Sequence, residues 1–128
     1  LVLQSLFIYS RFVEKNLITV QESQIEVGFE AKFVLIGDPH VGLYKKQDYM
    51  KRLVSEINSL SIDFVLIAGD LFDSSYPSID VLKKTFEIFR KLNDANISCF
   101  LIPGSHDFSV SGKSFLDVLE HAGFCKSL

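Results

Sequence analysis

Three stretches of the chain are short, continuously apolar and closed by glycine: residues 31–37 (AKFVLIG), 62–69 (IDFVLIAG) and 97–104 (ISCFLIPG). Runs of this kind, rich in Val, Ile, Leu and Phe, predict buried parallel strands covered on both faces. Helical periodicity fills the gaps. Tyr49, Met50, Leu53, Val54, Ile57 and Leu60 fall at three- and four-residue steps, with Lys51, Arg52, Ser55 and Glu56 on the other side. Further on, Leu82, Phe86, Phe89 and Leu92 form a stripe that Ile79, Val81 and Ile88 widen, while Lys83, Lys84, Glu87, Arg90 and Lys91 face out. Pro77 and Ser78 open that helix and Asn93 lies near its end. A last helix runs from about Ser114 to His121 and stops at Gly123, with a further element beginning at Phe124. The order is βαβαβα, an α/β fold with right-handed crossovers.

Residues 1–30 break this rhythm. FIYSRFV, LITV and QIEVGF read as strands, so the chain divides into an N-terminal extension, 1–30, and an α/β region, 31–128. The apolar start is too short to span a bilayer and carries neither a basic n-region nor a small-residue cleavage site.

Composition narrows the function classes. The chain has 128 residues, enough for one domain with a real core, and is 48 % hydrophobic with twelve Phe and no Trp. Net charge is −3, so there is no basic bulk to grip nucleic acid by charge alone. Bound divalent cations would reverse that sign locally. Cys99 and Cys125 lack the spacing of a disulfide framework or zinc site and read as free thiols in a reducing compartment. The expectation is a soluble cytoplasmic protein without a membrane partner.

The chemistry lies where the strands end. Gly37-Asp38-Pro39-His40 follows the first, Gly69-Asp70-Leu71-Phe72-Asp73 the second and Gly104-Ser105-His106-Asp107 the third. Each taken singly has a plain reading: Asp38-Pro39 as a turn initiator, Asp70 or Asp73 as a turn cap, His106-Asp107 as a polar loop. In an open parallel sheet, however, the carboxyl ends share one edge, and ligands bind there. All three strand ends carry carboxylate or imidazole to that edge. Carboxylates gathered so closely need cations or partners, and a mixed carboxylate–imidazole set suits manganese, iron or zinc better than calcium. Two such ions about 3.5–4 Å apart cleave phosphate esters. His121, late in a helix, is read as a solvated residue favoured by the helix dipole. Lys45-Lys46 and Lys83-Lys84 are read as solvated faces, the first pair close enough to the first motif to reach a substrate phosphate.

Asp38-x-His40, Gly69-Asp70-x-x-Asp73 and Gly104-Ser105-His106-Asp107 resemble, in order and spacing, the first three motifs of the calcineurin-like metallophosphoesterases. The stretch IAGDLFDSSYPSIDVLKKTFEIFRKL is most similar to the DNA double-strand-break repair nucleases of that superfamily, the SbcD and Mre-eleven branch. The resemblance implies the first half of a layered metallophosphoesterase domain. It implies that Asp38 and His40 ligate a first metal, that Asp70 bridges two, and that Ser105 stands where the family has an Asn ligand of the second. His106 would protonate the leaving oxygen, Asp107 would orient His106, and Asp73 would support the ligands from behind or be structural. Implied with them are two divalent ions, manganese by preference, a DNA substrate, a partner ATPase of the SbcC or Rad-fifty type, and a homodimer. The alternatives are a phosphodiesterase or phosphatase acting on nucleotides or small phosphoesters, and a non-catalytic interaction domain that keeps the fold. The family completes its metal shell with later histidines, including Gly-His-x-His, whereas this chain holds only His40, His106 and His121. The chain by itself is therefore expected to bind metal weakly and turn over little.

Overall fold

The protein is described by a computed structural model covering residues 30–42, 47–108 and 114–128, with Ile18 and Gly28. The chain divides into two units, Leu1–Glu30 and Ala31–Leu128. The strands expected in the first unit, and Lys45 and Lys46, lie outside the described residues.

The second unit is built as βαβαβα with a short closing strand. Its elements are β1 (Phe33–Gly37), α1 (Gln47–Ser59), β2 (Phe64–Gly69), α2 (Ile79–Asp94), β3 (Ser98–Pro103), a 3₁₀ turn (Ser105–Asp107), α3 (Phe115–His121) and β4 (Lys126–Ser127). All strand pairs are parallel and the sheet order is β1-β2-β3-β4. β4 is the element that begins after Phe124. The helix starts follow their caps. Ser78 Oγ accepts from Val81 N (3.4 Å) at α2. At α3, Ser114 Oγ accepts from Leu116 N (3.1 Å) and Asp117 Oδ2 accepts from Ser114 N (3.2 Å). Asn96, at φ 57°, turns the chain out of α2 toward β3.

The core lies on one face of the sheet. In register, Val34 pairs with Val65 and Val65 with Cys99, while Ile36 pairs with Ile67 and Ile67 with Leu101. Ile36, Val65 and Ile67 meet Met50, Leu53, Val54 and Ile57 of α1 and Phe89 and Leu92 of α2 around one small apolar cavity. Both helices therefore pack on the same face. The alternate positions make a different surface. Phe33, Leu35 and Ile102 are exposed, Leu35 by 61 %. Phe33 stacks on Phe64 with ring centroids 5.0 Å apart, and Phe64 meets Phe100 edge-on at 5.6 Å.

This differs from the expectation of strands covered on both faces. The strand order moves across the sheet in one direction, and crossovers of constant hand then put every helix on the same side. Helices on both faces require the winding to reverse, and β1-β2-β3-β4 contains no reversal.

Candidate metal centre

The three loops meet because strand pairing continues beyond the sheet. Asp38 N donates to Ala68 O (2.9 Å), His40 N to Asp70 O (3.0 Å) and Val41 N to Leu71 O (2.7 Å). Val41 and Phe72 form an isolated parallel bridge, and both are buried. The first loop is thus laid alongside the second, residue against residue. It achieves this with Asp38 at φ 42° and His40 at φ 46°, left-handed conformations that Asp and His tolerate better than most side chains. Such conformations persist only where the surroundings fix them, and they cluster at functional sites.

Close approach explains two of the glycines. A Cβ on Gly69, itself at φ 91°, would strike the Asp38 carboxylate, and one on Gly104 would strike Asp70. The space is taken by hydrogen bonds. Asp38 Oδ1 accepts from Asp70 N (3.0 Å), and Asp70 Oδ1 accepts from His106 N (2.8 Å). Each motif therefore grips the next one.

Asp107 locks the third loop from beneath. It is 2 % exposed. Its carboxylate accepts from Leu71 N (3.1 Å), Phe72 N (3.1 Å) and Gly104 N (3.0 Å). The resemblance implies that Asp107 orients His106; its bonds tie it to the backbone of the second and third loops, which carry Asp70 and His106. The amides of Leu71 and Phe72 leave no trace in the sequence, since any residue supplies an N–H.

On this frame half-buried His40 and exposed His106 meet the largely buried side chain of Asp70. Nε2 of His40 is 3.8 Å from Asp70 Oδ2, and Nδ1 of His106 is 4.0 Å from the same oxygen. The two rings stand edge to face with centroids 5.6 Å apart. One atom from each of the three residues lies within 4.8 Å of the others. Donors about 2.1 Å from a shared ion lie up to about 4 Å from one another, and the two spacings to Asp70 Oδ2 meet that limit. The donor chemistry suits a divalent metal, two imidazoles converging on one carboxylate oxygen.

The remaining predicted residues surround this group. Asp38 is held beside Asp70 by the bond to its amide, and Ser105 is exposed on the 3₁₀ turn. Asp73 Oδ1 lies 3.4 Å from Nδ1 of His40. His121 is exposed on α3 with Nδ1 2.7 Å from Asp117 O, the solvated position expected of it. His106 falls inside the ligand-capable group, although the resemblance implied an acid role; its ring could serve at the metal or at the substrate.

The two cysteines lie apart from this chemistry in role. Both are free. Burial pushes the Cys99 thiol up to about 12, with Cys125 adding to the shift. Burial pushes Cys125 up to about 11, with Glu120 adding. Neither is a ready thiolate at neutral pH. Among the described residues, no helix is long and apolar enough to cross a membrane.

Comparison with known proteins points to the same chemistry. The family model described as calcineurin-like phosphoesterase matches residues 31–124. An uncharacterized metallophosphoesterase of Helicobacter pylori is 33 % identical over 93 residues, covering 70 % of this chain and 24 % of that protein. The DNA double-strand break repair protein Mre11 of Methanosarcina mazei is 31 % identical over 108 residues, covering 77 % of this chain and 17 % of that protein. Its counterpart in Haloferax volcanii is 32 % identical over 101 residues, covering 72 % and 23 %. The chain thus spans less than a quarter of the length of these relatives. The matched region contains the described sheet from β1 through β3 and every loop of the candidate centre, and on that match the chain belongs to the calcineurin-like phosphoesterase family.

Proposed function

We propose that this chain is the N-terminal part of the catalytic domain of a manganese-dependent DNA nuclease acting in double-strand-break repair. The observation that carries the reading is the convergence of His40, Asp70 and His106 at the carboxyl edge of the sheet, joined to the similarity to Mre11 proteins. In this reading Asp38, His40, Asp70 and Ser105 would hold two divalent ions. Such a pair supplies an activated water and neutralises charge on a phosphodiester. His106 delivers a proton to the leaving oxygen from the exposed side of the site. Asp107 keeps His106 in place through the loop backbone. With bound cations reversing the local sign, the net charge of −3 is no obstacle to a DNA substrate. The reading also carries a partner ATPase of the Rad50 type, a homodimer, and a cytoplasmic location in keeping with two free thiols.

The test uses the gene product that carries this chain. Linear duplex DNA and a small phosphodiester such as bis-p-nitrophenyl phosphate are offered with manganese, then with a chelator. The expected result is manganese-dependent cleavage of DNA ends, lost in Asp70→Ala and in His106→Ala. Manganese binding should be weakened in the first variant and nearly retained in the second. Cleavage of the small ester alone would move the function to a phosphodiesterase of small substrates. Full DNA cleavage by His106→Ala would remove the role given to that residue.

A further inference from the structure

We propose that Asp73 is a positioning residue for His40: it accepts the Nδ1 proton of the ring, so that the Nε2 lone pair faces the Asp70 side of the centre, and Gly42 is glycine because the Asp73 carboxylate occupies the space of its side chain. The inference rests on the reading of His40 as a metal ligand. It does not depend on which phosphoester is cleaved.

Four observations carry it. First, the two ring nitrogens of His40 face different acids. Nδ1 is 3.4 Å from Asp73 Oδ1, and Nε2 is 3.8 Å from Asp70 Oδ2. A neutral imidazole has one donor and one acceptor nitrogen, and the hydrogen bond made by one decides which can bind metal with the other. Second, Asp73 Oδ2 is buried and has no hydrogen-bond partner. Among the described residues no backbone amide donates to either Asp73 carboxylate oxygen, unlike Asp107 with Leu71, Phe72 and Gly104, so closing a turn does not account for it. Third, a Cβ added to Gly42 would run into the Asp73 carboxylate at Oδ2, Cγ and Cβ. Gly42 is not among the positive-φ residues, so its backbone does not demand glycine and the carboxylate does. Fourth, Asp73 is anchored to the loop that carries His40: its N–H donates to Val41 O (3.4 Å) next to the Val41–Phe72 bridge. Carboxylate and imidazole are therefore fixed relative to each other by backbone. A carboxylate on the far nitrogen of a ligating histidine fixes its tautomer and raises its basicity, and losing it typically costs about 10–100-fold in metal affinity.

The test reads the ring directly, in metal-free protein. The protein is labelled with ¹⁵N-histidine, and long-range ¹H–¹⁵N spectra are recorded at about pH 8, where histidine is ordinarily neutral. His121 serves as an internal standard, because its Nδ1 faces the Asp117 carbonyl at 2.7 Å and must carry a proton. His40 in the unaltered protein is expected to match it, with Nδ1 protonated. Asp73→Ala should move the proton to Nε2. Gly42→Ala should do the same with every acid intact, by displacing the carboxylate. Asp73→Asn should keep the Nδ1–H form, since its amide carbonyl still accepts. Manganese affinity by calorimetry should fall about 10–100-fold in the two alanine variants and less in Asp73→Asn. Thermal stability should change little in Asp73→Ala, because the buried oxygen it removes, Oδ2, had no hydrogen-bond partner. An Nε2–H tautomer in the unaltered protein would overturn the assignment, as would a His40 tautomer unchanged by Asp73→Ala. If the tautomers behave as expected and DNA is not cleaved, the assignment stands and the nuclease reading fails.

Discussion

The Asp107 carboxylate carries three backbone amides of two different loops, those of Leu71, Phe72 and Gly104, in a position closed to water. Asp107→Ala would leave all three donors orphaned. An unsatisfied buried donor costs about 1–3 kcal/mol, so the variant should lose about 3 kcal/mol or more, seen as a clear drop in Tm with or without metal. Gly69→Ala tests a neighbouring constraint. Its φ of 91° and the Asp38 carboxylate both oppose a Cβ, so it should weaken metal binding and cost about 1–3 kcal/mol of stability. Asp73 contrasts with both, since its removal should change the chemistry of His40 and leave the fold intact.

β1 and β3 show how one sheet serves two surfaces. Leu101 is 2 % exposed, on the face under α1 and α2, whereas Leu35 of β1, on the other face, is 61 % exposed. Leu101→Ala should cost about 2–5 kcal/mol, as buried leucines do, and Leu35→Ala under about 1 kcal/mol, as exposed positions do. Denaturant melts of the two variants compare the faces directly; equal losses would mean that the second face is covered in solution. β3 also supplies a pH dependence. Cys99 in β3 and Cys125 just before β4 are held at about 12 and about 11 against an ordinary 9.0. Above pH 9 the unfolded chain releases thiol protons that the folded chain retains. Folding then binds more protons than unfolding, and stability falls with rising pH. The contribution is fully present below about pH 9 and is lost as pH climbs through about 11 to 12. The loss should shrink in Cys99→Ala, measured as Tm against pH.

At the scale of the molecule, the centre joins loops from three successive strand ends, so a bound ion should act as a clamp across the sheet edge. An ion that binds only the folded state raises stability by mass action. Manganese should therefore raise the Tm, a chelator should reverse the rise, and Asp70→Ala should abolish it. The matched relatives are more than four times the length of the region they share with this chain, and the size of the shift measures how firmly these three loops hold an ion by themselves.

Much of this architecture is determined by the sequence itself. Continuous apolar runs ending in glycine mark β1, β2 and β3 to within about two residues, because a parallel strand needs apolar side chains wherever it is covered. The amphipathic stripes and the Ser78 and Ser114 caps mark α2 and α3, because both signals act between residues close in the chain. The same local order puts Asp38, His40, Asp70, Ser105, His106 and Asp107 after strands, and parallel pairing alone then assigns them to one edge. Tertiary structure decided the rest. Whether helices would lie on both faces of the sheet depended on the direction of winding, a property of strand order that no local pattern encodes. Which acid serves which histidine depended on distances between loops separated by over thirty residues: Asp107 turned to the amides of Leu71 and Phe72, and Asp73 to the ring of His40. Backbone amides are the same for every residue, and a carboxylate's choice between an amide and an imidazole is settled only when both are brought within reach.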